Sequence, residues 1–199
     1  ITDGLVSAND FFIEEENKNF EFKFNNSDIE ELQSNIKKGS RKFLAKAITL
    51  VESTKLEDQR KSETLLSKLP KNNNTIRIGI SGVPGVGKST FIESLGLFLI
   101  DMGLKVSVLA IDPSSQKTGG SILGDKTRME KLSTNNSAFI RPSPSSGHLG
   151  GVAKTTRESM LCVEASGYEI VFIETMGVGQ AETSVYNMVD IFLVLLLPS

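Results

Sequence analysis

The chain has 199 residues, of which 39% are hydrophobic and 23% are charged, and its formal net charge is -2. This length suffices for one sizeable core with a small helical appendage beside it. Because no overall basic field is present, neither nucleic acid nor an anionic membrane is the expected partner. The single cysteine, Cys162, excludes an internal disulfide and a cysteine-built zinc site, and it is expected to be a small buried hydrophobe.

Residues 1–27 form an acidic N-terminal tail that holds five of the eleven phenylalanines. The EFKF sequence at residues 21–24 alternates like a short strand, and a mobile or partner-bound tail is an equally good interpretation. The longest apolar run, residues 191–198, is too short to span a bilayer as a helix, and no signal-peptide pattern opens the chain. Since the first residue is Ile1 and not methionine, we expect that the natural start, with any targeting segment, lies upstream.

A helical extension is predicted over residues 28–74. SDIEELQSN begins with a candidate N-cap, Ser27, followed by a capping-box acid, Glu30. RKFLAKAITLVES places five apolar residues on one helical face, namely Phe43, Leu44, Ala47, Ile48 and Val51. The sequence therefore predicts two or three helices that end near Pro70.

Short β-rich runs alternate with helical stretches over residues 75–199, which predicts an α/β domain with a mostly parallel sheet sandwiched by helices. The predicted strands are residues 76–81, 105–112, 138–141, 169–175 and 191–197. Between the first two strands, apolar residues recur with helical spacing up to Gly103, a candidate C-cap. These apolar residues are Phe91, Leu95, Leu99 and Met102.

The motif G-x-x-x-x-G-K-(S/T) occurs once, as GVPGVGKS from Gly82 to Ser89, between a predicted strand and a predicted helix. Glycines let successive N–H groups surround a phosphate, and the N-terminus of the helix adds partial positive charge. Lys88 supplies a full charge, and Ser89 offers a hydroxyl to magnesium. The structural alternative is an ordinary glycine-rich turn. The residues assigned to nucleotide binding are Gly82, Val83, Pro84, Gly85, Val86, Gly87, Lys88, Ser89 and Thr90.

Two acids lie at the C-terminal ends of predicted strands. IVFIE ends at Glu174 in the form of a Walker B strand, and VSVLAID ends at Asp112. Because the carboxyl ends of parallel strands converge on one edge, both acids are candidate magnesium-side residues. Asp112 is also a candidate for holding a metal-bound water or orienting the attacking one. Each acid has a structural alternative, which is to cap a turn.

The segment TMGVGQAE after Glu174 is interpreted as a switch, in which Gly177 and Gly179 provide flexible points and Gly177 senses a γ-phosphate. Gln180 is a weak candidate for orienting the attacking water, because it comes three residues after Gly177. Slow intrinsic hydrolysis is expected from this arrangement.

These segments together resemble the MeaB/ArgK-type G proteins, a family of P-loop GTPases that includes the methylmalonic aciduria type A proteins and acts as chaperones of adenosylcobalamin-dependent methylmalonyl-CoA mutase. The matching stretches include GISGVPGVGKSTFIE, VLAIDPSS, GGSILGDKTRME, IRPSPSSGHLGGVAKTTRE and IETMGVGQAE. The resemblance runs from about residue 40 to the end of the sequence. DPSS, GGSILGDKTRM and RPSP are more specific to this family than the P-loop is.

The resemblance implies a phosphate and magnesium site formed by Lys88, Ser89, Asp112, Asp125 and Glu174. It also implies that residues 119–129 form a switch region that contacts the mutase. Arg128 and Lys126 are assigned either to phosphate or partner contacts or to solvated helix charges. His148, the only histidine, is expected to have a structural role and not to ligate a metal.

The resemblance further implies GTP and GDP with Mg²⁺ as ligands, adenosylcobalamin only through the partner mutase, and a homodimer in the full-length family. A bacterial member would be cytoplasmic and a eukaryotic member would lie in the mitochondrial matrix. The (N/T)KxD motif that reads guanine, and the dimerisation helices, are expected beyond Ser199. Base specificity and hydrolysis are therefore expected of a longer protein than this stretch.

Other functions remain open on the residues alone. A P-loop kinase or ATPase associated with lysine, arginine or ornithine transport is the main alternative, although no arginine-rich substrate lid is evident. A nickel-insertion GTPase would need a metal-handling cluster that one histidine and one cysteine do not provide. A binding module that holds nucleotide without turnover is a further alternative.

Overall fold

The structure is a computed structural model that describes residues 26–72, 74–112, 129–144, 149–175 and 180–197. The helices in these ranges are α1 (Asn26–Lys37), α2 (Arg41–Glu52), α3 (Leu56–Lys68), α4 (Lys88–Asp101), α5 (Glu130–Thr134), α6 (Leu149–Ala165) and α7 (Gln180–Tyr186). The strands are β1 (Ile76–Gly82), β2 (Val106–Asp112), β3 (Ala138–Pro144), β4 (Ile170–Thr175) and β5 (Ile191–Leu195). No helix in the described ranges combines the length and the apolar character that a bilayer crossing needs.

The five strands form one parallel sheet in the order β3-β2-β4-β1-β5. This arrangement confirms the predicted α/β class with a parallel sheet between helices. The central strand β4 is buried along its whole length, as expected for a strand covered on both faces. Parallel neighbours need crossover connections, which explains why strands and helices alternate along the chain.

Strand β3 is longer than the sequence indicates, because its pairing with β2 continues to Pro144 opposite Asp112. The two prolines in RPSP favour an end near Arg141 when only the sequence is considered. Proline lacks an N–H and is tolerated where that side of the strand faces no partner, and β3 is the outer strand at its end of the described sheet. At the other edge, β5 ends at Leu195, two residues earlier than predicted.

Two hydrophobic cores lie on opposite faces of the sheet, because successive side chains of a strand point to opposite sides. In β4, Val171 and Ile173 face one core, whereas Ile170 and Phe172 face the other. The first core also receives side chains of α1, α2, α3 and α6, and the second receives α4 and α5. The N-terminal helices therefore share a core with the sheet.

Helix α2 confirms the predicted apolar face. Its buried side chains are Leu44, Ala47, Ile48, Leu50 and Val51, and Phe43 packs against them while partly exposed. An ion pair between Arg141 of β3 and Glu52 fixes the end of α2 to the sheet, and Arg141 Nη2 also donates to Thr49 Oγ1 at 3.2 Å. Helix α1 begins at Asn26, so Ser27 lies in its first turn and the prediction of Ser27 as the N-cap was wrong.

Helix α4 ends at Asp101, and Gly103 follows at φ +90°, in the left-handed region that favours glycine. This position agrees with the predicted glycine stop. The apolar row along α4 is only partly its packed face, since Met102 is 64% exposed and Phe91 is 38% exposed. The buried positions of the helix are instead Ile92, Gly96 and Lys88.

Cys162 is fully buried in the core between α6 and the sheet. Burial raises the pKa of its thiol to about 12, with a smaller contribution from the negative charge of Glu158. At neutral pH the thiolate is therefore scarce, and the thiolate is the reactive form of cysteine. The expectation of a structural, unreactive cysteine is confirmed.

A charged pair joins β1 to α6. Arg77 Nε donates to Glu164 Oε1 at 2.7 Å, and the side chain of Glu164 is only 3% exposed. The hydrogen bond to Glu164 is the main reason that the pKa of Arg77 lies above its usual value. A carboxylate buried this deeply depends on its partner for compensation of its lost hydration.

We expect that Arg77→Met lowers the free energy of unfolding by about 3 kcal/mol, because Glu164 stays buried without its guanidinium partner. The double variant Arg77→Met, Glu164→Met should recover most of that loss, since it removes both charges and keeps apolar volume. Urea denaturation of the parent, the two single variants and the double variant measures these values. Additive losses in the double variant would show that the pair does not interact.

Candidate nucleotide-binding site

The GVPGVGKS loop links the end of β1 to the start of α4. Three of its residues take positive φ angles, which are +146° at Gly82, +85° at Gly85 and +97° at Gly87. Gly87 is the N-cap residue of α4. Side chains with a Cβ rarely adopt these angles, so the glycine spacing of the motif has a direct conformational cause. The loop therefore meets the predicted strand, turn and helix context.

Gly82 is constrained by its surroundings as well as by its backbone. A Cβ placed on Gly82 would lie 2.5 Å from the main-chain oxygen of Leu195 in β5, whereas one on Gly85 would meet no atom within 4 Å. The start of the loop passes against the neighbouring strand, and its tip faces open space. Gly82 is therefore required both by its backbone angle and by the lack of space for a Cβ, whereas Gly85 is required by its backbone angle alone.

Lys88 lies inside the loop, with 8% of its surface exposed. Its Nζ donates to the main-chain oxygens of Gly82 at 2.6 Å and Val83 at 3.2 Å. These contacts turn the ammonium group back towards the start of the loop. A positive charge held this way, beside a helix N-terminus, is suited to an anionic ligand.

Ser89 and Glu174 meet across the sheet edge. Ser89 Oγ donates to Glu174 Oε1 at 3.1 Å, and Glu174 is 9% exposed. The pairing of β1 with β4 sets Ile80 opposite Glu174 and so brings the acid to the level of the loop. A hydroxyl and a carboxylate are hard oxygen donors of the type that Mg²⁺ prefers. These two residues fit the magnesium role predicted for them.

The other predicted site residues are placed only in part. Asp112 is the last residue of β2, which pairs with β4 so that Ala110 lies opposite Glu174, and the Asp112 side chain is outside the described part. Gln180 is the first residue of α7, and its side chain is also outside it. The remaining candidates lie outside the described residues altogether, namely Asp125, Lys126, Arg128, His148, Gly177 and Gly179.

Among the described residues, no group of three or more His, Cys, Asp or Glu side chains is arranged to hold a metal ion. The predicted magnesium set of Ser89, Asp112, Asp125 and Glu174 is thus represented by one contact, between Ser89 and Glu174. The roles of Asp112 and Asp125 stay predictions.

Two further acids contact the elements that carry the loop, and the sequence alone assigns a role to neither. Glu182 of α7 accepts a hydrogen bond from Ser81 Oγ at 3.5 Å, directly before Gly82. Glu93 of α4 contacts the backbone at the start of α5. The available signal was position alone, since Glu93 follows the motif by one helical turn and Glu182 follows the predicted switch.

The fold and the loop define the class of this protein as a P-loop nucleotide-binding protein. A family model described as "Methylmalonyl Co-A mutase-associated GTPase MeaB" matches residues 44–199. The chain belongs to this family.

Named relatives agree with that assignment. The "GTPase ArgK" of Escherichia coli is 54% identical over 170 residues, which cover 85% of this chain and 51% of that protein. The "Methylmalonic aciduria type A homolog, mitochondrial" of Mus musculus is 49% identical over 182 residues, covering 86% and 44% respectively. The crystal structure of a protein described as "LAO/AO transport system kinase" superposes with a TM-score of 0.72 at 42% identity, covering 87% of this chain and 51% of that one. The chain thus spans about half the length of the relatives it matches.

Gly82→Ala should lower the free energy of unfolding by about 2–4 kcal/mol, because it combines a positive φ with a clash against the β5 backbone. Gly85→Ala, with a positive φ but open space, should cost about 1 kcal/mol. Thermal unfolding and urea denaturation of both variants against the parent measure the difference. Equal losses in the two variants would contradict the steric role assigned to the β5 contact.

Proposed function

We propose that this chain is the phosphate- and magnesium-binding part of a GTPase that acts as a chaperone of methylmalonyl-CoA mutase or a related acyl-CoA mutase. In this function the protein binds and hydrolyses GTP, gates the delivery of adenosylcobalamin to the mutase and protects that enzyme. The proposal extends to the whole protein, of which relatives have about twice the length. The contact between Ser89 and Glu174 at 3.1 Å supports the nucleotide-binding part of this proposal, because it brings two oxygen donors suited to Mg²⁺ together beside the glycine loop. The chaperone part is supported by the family description.

The loop, the N-terminus of α4 and Lys88 have separate roles in the proposed site. The N–H groups of the loop, residues 82–90, and the positive end of α4 receive the phosphates, and Lys88 supplies the full charge. In the structure Lys88 bonds to backbone oxygens of the loop, so phosphate oxygens would take over part of this coordination. Because the ammonium group of Lys88 is buried and oriented before phosphate binds, binding requires little reorganisation of this side chain.

Magnesium, when bound, would neutralise the negative charge that develops on the phosphates. Ser89 and Glu174 fit this ion by their oxygen chemistry and mutual distance. Asp112 and Asp125 complete the proposed metal side, and Gly177 is the proposed γ-phosphate sensor. Asp112 and, less directly, Gln180 are proposed to orient the attacking water, and Glu174 is proposed to act in catalysis from the metal side.

The mutase is proposed as the partner, and the family description, which names an association with methylmalonyl-CoA mutase, supports it. Adenosylcobalamin would reach this protein only as a ligand of that mutase. A homodimer is proposed for the longer protein. Location in the mitochondrial matrix is proposed for a eukaryotic source, in line with the name of the mouse relative, and a cytoplasmic location for a bacterial one.

A transport-associated kinase is the second candidate, favoured by the likeness, at 42% identity, to a protein described as a transport system kinase. The two candidates differ in nucleotide and product. The first experiment is calorimetry with GDP and with ADP, both in the presence of magnesium. It is carried out on this chain and on a version extended past residue 199, and it separates the GTPase from the kinase. Guanine selectivity in the longer version supports the GTPase, whereas transfer of labelled phosphate from ATP to a protein or amino acid supports the kinase.

The chaperone role is tested by pull-down of the mutase with the longer protein loaded with GTP or GDP. We expect the amount of captured mutase to change with the nucleotide, because a switch must bind its partner differently in two states. Capture that is the same with GTP, with GDP and without nucleotide would overturn the chaperone proposal.

Ser89→Ala should weaken GDP binding by about tenfold in magnesium and leave it nearly unchanged in EDTA, since the hydroxyl serves the metal and not the phosphate. Ser94→Ala is a matched control on the same helix, because Ser94 Oγ bonds only to Thr90 O in the described structure. Isothermal titration calorimetry on the version extended past residue 199 gives the affinity for GDP in magnesium and in EDTA. An equal loss with and without magnesium would remove Ser89 from the proposed metal site.

A further inference from the structure

Helix α5 is a short element of five residues that returns the chain to the sheet before β3. The first N–H groups of any helix lack partners within the helix. The N-cap residue of α5, Met129, makes no side-chain capping hydrogen bond. The required acceptor comes from another element, since Glu93 Oε1 of α4 accepts from Lys131 N at 2.9 Å and from Leu132 N at 3.3 Å.

Apolar packing holds α5 at the same place. Met129 and Leu132 are fully buried in the core between α4 and the sheet. Leu132 packs directly on Gly96 of α4, where an added Cβ would come within 3.1 Å of a Leu132 methyl carbon. The absence of a side chain at Gly96 therefore allows close approach, and the Glu93 contact fixes the orientation of the backbone above it.

The position of Glu93 relates this contact to the nucleotide site. Glu93 follows Ser89 by four residues in α4, which is about one helical turn and places both on one face of the helix. The helix begins at Lys88, within the phosphate-binding motif. A ligand that restricts the first turn of α4 is expected to restrict the next turn, which carries Glu93, because helix formation is cooperative.

We propose that Glu93 is a positioning residue that couples occupancy of the P-loop to the stability of α5. The coupling rests on the proposed nucleotide-binding function and adds a specific route to it. Nucleotide binding at the N-terminus of α4 restricts local opening of that helix, and the two hydrogen bonds from α5 then break less often. In this way, occupancy of the phosphate site affects the stability of α5, the next described element after Asp112.

Two substitutions separate coupling from simple capping. Glu93→Gln keeps an acceptor oxygen at the same distance along the side chain, whereas Glu93→Met keeps the length and removes the acceptor. Ser94→Ala, at the next position of α4, is the matched control for a change on this helix. Amide hydrogen exchange at Lys131 and Leu132 is measured in the version extended past residue 199, without nucleotide and with GDP and magnesium.

In the parent, GDP should slow exchange at these two amides by about fivefold or more. Glu93→Gln and Ser94→Ala should keep that response. Glu93→Met should raise exchange in the free protein by about tenfold and abolish the response of the two amides to GDP, while amides of the loop at Gly85 and Gly87 still respond.

The response to GDP is the measurement that a merely structural cap would not change. If Glu93→Met raises exchange but leaves the GDP response of α5 intact, the coupling is overturned and Glu93 is a cap only. If loop amides of the parent respond and α5 does not, the coupling also falls while nucleotide binding stands. If no loop amide responds to GDP in the parent, the proposed function fails and the coupling fails with it.

Discussion

Hydrogen bonding between β1 and β4 sets Ile80 opposite Glu174, so the strand that leads into the glycine loop ends level with the strand that carries the acid. Ser89 lies in the first turn of the next helix and reaches Glu174 across that edge. A shift of the pairing by one residue would turn every side chain of β4 to the opposite face. The buried apolar side chains of β4, which fill both cores, therefore fix the site as well as the fold.

Two glycines of the phosphate-binding elements are in close contact with later segments of the chain. Gly82 passes against β5, and Gly96 admits Leu132 of α5. In both cases a Cβ would meet an atom at less than the usual contact distance. The phosphate loop and its helix are thus held between two later segments of the chain, and their geometry depends on the whole sheet. A local glycine motif alone would not fix these positions.

Carboxylates connect the later segments to the P-loop elements. Glu93 joins α4 to α5, and Glu182 joins α7 to Ser81 at the end of β1. Each connected helix follows a segment that begins at a strand-end acid, Asp112 or Glu174. The region that the sequence predicts to be a switch, and the one that the family resemblance implies, are therefore each followed by a helix tied to the phosphate-binding elements. Local electrostatic contacts of this kind are how nucleotide switches bias larger segments.

The sequence by itself determined the α/β class, the order of the strands along the chain, the loop from Gly82 to Ser89 and the paired acid Glu174, because periodicity and glycine spacing are local properties. It did not reveal that β3 continues through its prolines, since only its place at the sheet edge permits them. Tertiary structure alone decided which row of α4 is buried and gave Glu93 and Glu182 their contacts. Those residues meet partners that lie 38 to 101 positions away in the chain, and only the folding of the sheet brings such residues together.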